Sequence, residues 1–168
     1  GNAPVALGKG AQVLNDFDSS TNTAVVKTGD VAIGSGATVD SSLDSTAIGT
    51  SADVRYGEDS LALGSSAKVD TAKQAVALGY KASVADGADG SLALGDEASA
   101  LSSYATAIGY KASANTAGSI ALGNGANTGG DGGGIAIGTS AAADGRSVAI
   151  GFTDNTAANN YDSVAIGN

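Results

Sequence analysis

The sequence predicts an all-β fold, a parallel β-roll or solenoid wound in coils of about 14–15 residues. Three observations carry that reading. One tetrapeptide, a Val, Thr, Leu or Ile followed by Ala, then Ile or Leu, then Gly, returns along the whole chain. Its apolar residues alternate with period two and are rich in Val, Ile and Thr, a β pattern rather than the three- and four-residue spacing of an amphipathic helix. The chain also carries 26 Gly, no Trp and only 4% aromatic residues, so its interior must be thin, because thick cores are filled by aromatics and bulky aliphatics.

The tetrapeptide occupies 5–8, 31–34, 46–49, 61–64, 76–79, 92–95, 106–109, 120–123, 135–138, 148–151 and 164–167. Its first interval is 26 residues and the rest run from 13 to 16. Most copies are followed after two residues by Ala-x-Val or Ala-x-Ala, as in Ala37-Thr38-Val39, Ala67-Lys68-Val69 and Ala112-Ser113-Ala114. Such a period holds two short strands and two turns, whereas the three sides of a triangular β-helix would need about 18 residues, so a two-sided roll fits better. The glycine common to the units (Gly34, Gly49, Gly64, Gly79, Gly95, Gly109, Gly123, Gly138, Gly151 and Gly167) falls where one strand turns sharply into the next, a place that suits a residue without a Cβ. The opposite turns carry Asp86-Gly87, Asp89-Gly90, Asp131-Gly132 and Asp144-Gly145, common turn chemistry.

The long first interval holds an extra segment at about 14–30, with Phe17 and the run Thr23-Ala24-Val25-Val26. It reads as a hairpin or an edge-covering loop. After Gly151 the second element gives way to Phe152-Thr153-Asp154-Asn155, so an irregular last coil is expected.

Side chains alternate across a strand, so the Ala of each tetrapeptide points one way and its two flanking residues the other. With Ala and the Ala-x-Val element lining a narrow interior, two ladders lie outside: Val31, Ile33, Thr46, Ile48, Leu61, Leu63, Val76, Leu78, Leu92, Leu94, Thr106, Ile108, Ile120, Leu122, Ile135, Ile137, Val148, Ile150, Val164 and Ile166. They would expose on the order of 1,000 Å² of apolar surface, more than a monomer usually leaves in water. Self-association about a common axis would cover them, with the variable, charged turns facing solvent. The opposite parity, Ile and Leu inside and Ala outside, is the alternative.

Seventeen acidic residues against eight basic ones give a net charge of −9. That field repels phosphate backbones, and no basic stripe interleaves with aromatics, so nucleic acid is excluded as a partner. The absence of Cys fits a secreted chain that avoids disulfide traffic, though many cytosolic proteins lack Cys too. With no charged-then-apolar leader and no apolar run long enough to cross a bilayer, the sequence reads as a soluble piece of a longer protein.

These residues resemble the YadA-like head of the trimeric autotransporter adhesins, whose repeats read S-V-A-I-G-x-x-S/A-x-A. Ser147-Val148-Ala149-Ile150-Gly151 and Ser163-Val164-Ala165-Ile166-Gly167 match it letter for letter. Collagen-binding members carry Asn before that Ser, where this chain has Arg146 and Asp162. The resemblance implies head repeats across 1–168, a left-handed parallel β-roll, a homotrimer, and display on the bacterial outer-membrane surface through a stalk and C-terminal anchor outside this sequence. It also implies binding to host extracellular matrix (collagen, fibronectin or laminin), to host cells, or between heads, as a virulence factor. Ser147, Val148, Ala149, Ile150, Gly151 and Ser163 are the ligand-binding candidates it indicates, and Lys68, Arg55, Asp53, Glu97, Tyr80 and Tyr110 are expected on the outer faces as weak, multivalent contacts.

Neither an enzyme nor a cofactor or metal site is expected. Ile48-Gly49-Thr50-Ser51-Ala52-Asp53 fits the hexapeptide of β-helix acyltransferases, but those use a histidine base and this chain has no His. Lys68, Lys81 and Lys111 read as solvated charges rather than as bases for a Ser or Thr nucleophile. The run 129–134 resembles a calcium-binding β-roll repeat but occurs once, and Thr46 and Thr106 are too scattered for an ice-binding ladder. A structural spacer or self-association module, or a segment of a trimeric phage fibre, shares the same physics.

Overall fold

The computed structural model describes residues 3–14, 17–18, 23–24, 29–152, 157–158 and 162–167. Two parallel sheets run side by side along these residues. The first has 11 strands: Val5–Leu7, Val31–Ile33, Thr46–Ile48, Leu61–Leu63, Val76–Leu78, Leu92–Leu94, Thr106–Ile108, Ile120–Leu122, Ile135–Ile137, Val148–Gly151 and Val164–Gly167. The second has 10: Gln12–Leu14, Thr38–Asp40, Asp53–Arg55, Lys68–Asp70, Ser83–Val84, Ser99–Ala100, Ser113–Ala114, Asn127–Gly129, Ala142–Asp144 and Ala157–Ala158. The chain alternates between the sheets, and every strand of these sheets pairs with its counterpart one coil on, the pattern of a β-solenoid. No helix of the described residues is long and apolar enough to cross a membrane.

Register decides which of the two parities holds. Ala32 pairs Ala47, Ala47 pairs Ala62, Ala62 pairs Ala77, and the column continues through Ala149. All of these alanines point inward and are fully buried. Facing them from the second sheet are Val39, Val54, Val69 and Val84, then Ala100, Ala114, Thr128 and Ala143, also buried. The interior is therefore two small side chains thick, and the larger Ile and Leu, which it cannot hold, lie outside.

The turn from the first sheet into the second follows one plan. Gly79 has φ +137, and a Cβ there would run into the carbonyl oxygen of Gly95 on the next coil. The same holds for Gly34 against Gly49 and Gly64 against Gly79. Two residues later the backbone enters the left-handed region whatever its side chain: Ser51, Ser66, Lys81, Glu97, Lys111 and Ser140 have φ between 52 and 57. Left-handed conformation costs an L-residue about 1–2 kcal/mol. Coil-to-coil bonds hold it, such as Glu97 N to Tyr80 O at 2.8 Å and Lys111 N to Asp96 O at 2.9 Å.

In the 14–30 segment Phe17–Asp18 pairs antiparallel with Thr23–Ala24, the hairpin of the two expectations. Val25 and Val26 lie outside the described residues. In the last coil Ala157–Ala158 joins the second sheet opposite Ala142 and Ala143, so pairing is regained there, and 153–156 lie outside the described residues.

Candidate interaction surface

Three surfaces bear on contact with other molecules: the outer face of each sheet, and the edge of turns that leads from the first sheet into the second. The first sheet presents the two aliphatic ladders. In-register stacking makes each side chain shield those above and below it, so Val31, Ile33, Thr46, Ile48, Leu61, Val76, Leu78, Leu92, Thr106, Ile108, Ile135, Ile137 and Val148 are half-buried. Leu63, Leu94, Ile120, Leu122 and Ile150 are 36–39% exposed. Val164 and Ile166, in the last strand of the ladder, rise to 67% and 74%. At about 4.8 Å per strand, the ten steps of this 11-stranded ladder make a continuous apolar strip about 48 Å long.

The outer face of the second sheet is polar, and its register sets unlike charges side by side. Asp53 lies between Thr38 and Lys68, and Arg55 between Asp40 and Asp70. Arg55 Nη2 is 2.8 Å from Asp53 Oδ2 and Lys68 Nζ is 2.7 Å from Asp70 Oδ2. Asp53 lies on the outer face as expected, but its side chain is only 15% exposed beside Arg55. Its Oδ1 is buried without a hydrogen-bond partner. Burial pushes the Asp53 carboxyl above its ordinary value, against the opposing pull of Arg55 and Lys68. Further along, hydroxyls and amides replace the charges: Ser83 Oγ meets Ser99 Oγ at 3.3 Å, and Asn115 Nδ2 donates to Asn127 Oδ1 at 3.2 Å.

The turn edge brings Tyr80-Lys81, Asp96-Glu97 and Tyr110-Lys111 onto three successive coils. Tyr80 and Tyr110 are 47% and 46% exposed. The lysines are exposed but not simply solvated. Lys81 Nζ stands 4.9 Å from the Tyr80 ring centre and Lys111 Nζ 5.0 Å from that of Tyr110, a cation–π arrangement. Lys111 also reaches Glu97 Oε2 at 3.5 Å. The neighbouring tyrosine is the main cause holding each ammonium above its ordinary pKa, with Glu97 adding to it.

Of the residues matching the S-V-A-I-G motif, Ser147 and Ala149 are fully buried. Surface contact at this motif therefore falls to Val148, Ile150, Gly151 and Ser163. Ser147 belongs to a device that the tetrapeptide alone conceals, a column of inward serines preceding the first-sheet strands. Ser60 Oγ lies 3.0 Å from the Ala72 carbonyl and accepts the Ala75 amide at 3.2 Å. Ser91 Oγ donates to Ser102 O at 2.8 Å and accepts Ala105 N at 3.0 Å, and Ser147 Oγ accepts Ser163 N at 3.4 Å. The signal was present in the sequence, as Ser recurs at 45, 60, 91, 119, 147 and 163, one residue before the tetrapeptide.

Among the described residues, no three His, Cys, Asp or Glu side chains converge as a metal cage would require. A family model described as the YadA head domain repeat, spanning two copies, matches four overlapping windows, 56–82, 71–98, 87–112 and 100–126. No curated protein matches the chain.

Proposed function

We propose that the whole of 1–168, of which 56–126 match the YadA head domain repeat, is the head of a trimeric, non-enzymatic bacterial surface adhesin. In this reading the roll is left-handed, three copies join through their first sheets, and the assembly attaches to host extracellular matrix or host cells. The trimer-interface residues are the two ladders from Val31 and Ile33 to Val164 and Ile166.

The observation that carries the proposal is the apolar strip. Two rows of residues, each about a third exposed, leave on the order of 1,000 Å² of apolar surface, beyond the few hundred Å² of an ordinary monomer patch. The alanine interior has no room to take them in, so the surface to cover them must come from another molecule. A closed ring of identical copies does this with every strip satisfied. The polar second sheet and the turn edge then face outward, where three copies multiply weak contacts.

Sedimentation analysis tests the assembly. A trimer is expected, and Leu94→Asp with Ile108→Asp should yield monomers. A wild-type chain that stays monomeric and well folded would overturn it. Solid-phase binding of the trimer to collagen, fibronectin and laminin tests attachment. The alternative role as a spacer or self-association module is favoured by the mutual pairing of surface charges, Asp53 with Arg55, Lys68 with Asp70 and Glu58 with Lys73. Failure to bind any matrix protein or host cell would select it.

A further inference from the structure

The turn edge carries a duplicated pentapeptide, Gly79-Tyr80-Lys81-Ala82-Ser83 and Gly109-Tyr110-Lys111-Ala112-Ser113, two coils apart. Hydrogen bonds fix their relation: Tyr80 O accepts Glu97 N at 2.8 Å, and Asp96 O accepts Lys111 N at 2.9 Å. Tyr80, Asp96 and Tyr110 therefore stand in one column parallel to the rod. Its neighbours on either side are Ser65 before and Asn124 after, so Tyr80 and Tyr110 are the two aromatic side chains of this stretch of the column. In each pair the lysine ammonium sits over the ring, and about half of the tyrosine side chain stays open.

From this column we infer a binding site for an extended, neutral β-1,4-linked glycan lying along the rod. Two coils of parallel strands separate the rings by about 10 Å, a distance that spans about two sugar units of such a chain. Alternate sugars can then lay the apolar face of their rings on Tyr80 and Tyr110. The sugar between them meets Asp96 and Glu97, whose carboxylates accept from hydroxyls, while Lys81 and Lys111 donate at the flanks. Charge selects against a sulfated or uronate-rich chain. Lys81 and Lys111 are offset by Asp96 and Glu97, Glu97 already engages Lys111, and the chain as a whole carries −9. This inference rests on reading the rod as a binding module, and it does not require three copies.

Isothermal titration of the full 168-residue chain with chitohexaose and cellohexaose tests it, with tyrosine fluorescence as a second readout because the chain has no Trp. Both β-1,4 hexamers should bind, and the corresponding disaccharides should bind at least roughly tenfold more weakly because they reach one ring only. Tyr80→Ala and Tyr110→Ala should each cost roughly tenfold or more. Tyr80→Phe should retain binding, as should Tyr104→Ala, which removes a tyrosine 72% exposed on the opposite turns. Equal affinity for the α-linked maltohexaose, binding of a heparin hexasaccharide alone, or no loss in either alanine variant would overturn the site. If the chain binds matrix protein but no hexasaccharide, this inference falls and the adhesin reading stands. If a monomeric chain binds chitohexaose through Tyr80 and Tyr110, the trimer falls and the glycan site stands.

Discussion

Replacing Gly79 by Ala isolates the constraint on which coil stacking depends, and Gly87→Ala, in the same coil, supplies the control. Gly87 has φ +70 and nothing within 4 Å of a Cβ added there, so Ala costs only its backbone preference, about 1–2 kcal/mol. Gly79, at φ +137, carries a conformational cost of about 1–3 kcal/mol. Its new methyl would also occupy the place of the Gly95 carbonyl oxygen. The two coils must part to admit it, stretching the bonds from Gly95 N to Leu78 O and Glu97 N to Tyr80 O, both 2.8 Å. At about 1 kcal/mol each, these bring the expected loss for Gly79→Ala to about 3–5 kcal/mol, above the about 1–2 kcal/mol of Gly87→Ala. Urea denaturation followed by circular dichroism measures both at one protein concentration, since association would make stability concentration-dependent. Hydrogen exchange should place the damage around 76–111, because solenoid coils couple only to their neighbours. Equal losses in the two variants, or a Gly79→Ala protein within about 1 kcal/mol of wild type, would refute the steric argument.

Ser60→Ala removes the acceptor of the buried Ala75 amide and is expected to cost about 1–3 kcal/mol in the same urea assay, whereas the exposed pair Lys73–Glu58 should yield under about 1 kcal/mol when Glu58 becomes Gln. The raised pKa of Asp53 means that the folded chain binds its proton more tightly than the unfolded one. Stability from this group is thus fully present below its ordinary value of 3.8 and lost as pH rises through the raised folded value. Asp53→Asn should accordingly flatten that part of the melting temperature against pH, and profiles of identical slope would contradict the burial of this carboxylate. Asn124-Gly125 is a dipeptide prone to deamidation through attack by the glycine amide, but here Gly125 N is bonded to Tyr110 O at 2.8 Å. Peptide mapping after prolonged incubation should show Asn124 intact in the native protein and converted in urea, and equal rates would show that this turn opens freely.

Several features are legible because the repeat writes the same instruction many times. Ala at the centre of each tetrapeptide, Ala three positions after its Gly, and Gly at the turn define strand, interior and corner without reference to any distant part of the chain. Even the serine column was visible as a recurring letter, though its purpose was not, since a serine reads equally as a surface residue until the carbonyls and amides it serves are placed around it. Less legible was the second sheet's outer face. The separation of Asp53 and Arg55 places them on one face of a strand, but nothing in it says that Asp53 Oδ1 is buried without a hydrogen-bond partner.

The sequence by itself determined the coil length, the two-strand unit, the thin alanine-rich interior as the leading parity, and the resemblance to adhesin heads, because each is a local property repeated in step. Only the tertiary structure decided that parity, by stacking Ala on Ala and valine on valine in register. It also decided that the aliphatic ladders are half-sheltered by their own neighbours and that Tyr80 and Tyr110 stand in line. The physical reason is that residues about 15 apart become neighbours only when one coil lies on the next. What a side chain can touch is then set by the register between coils rather than by its own segment.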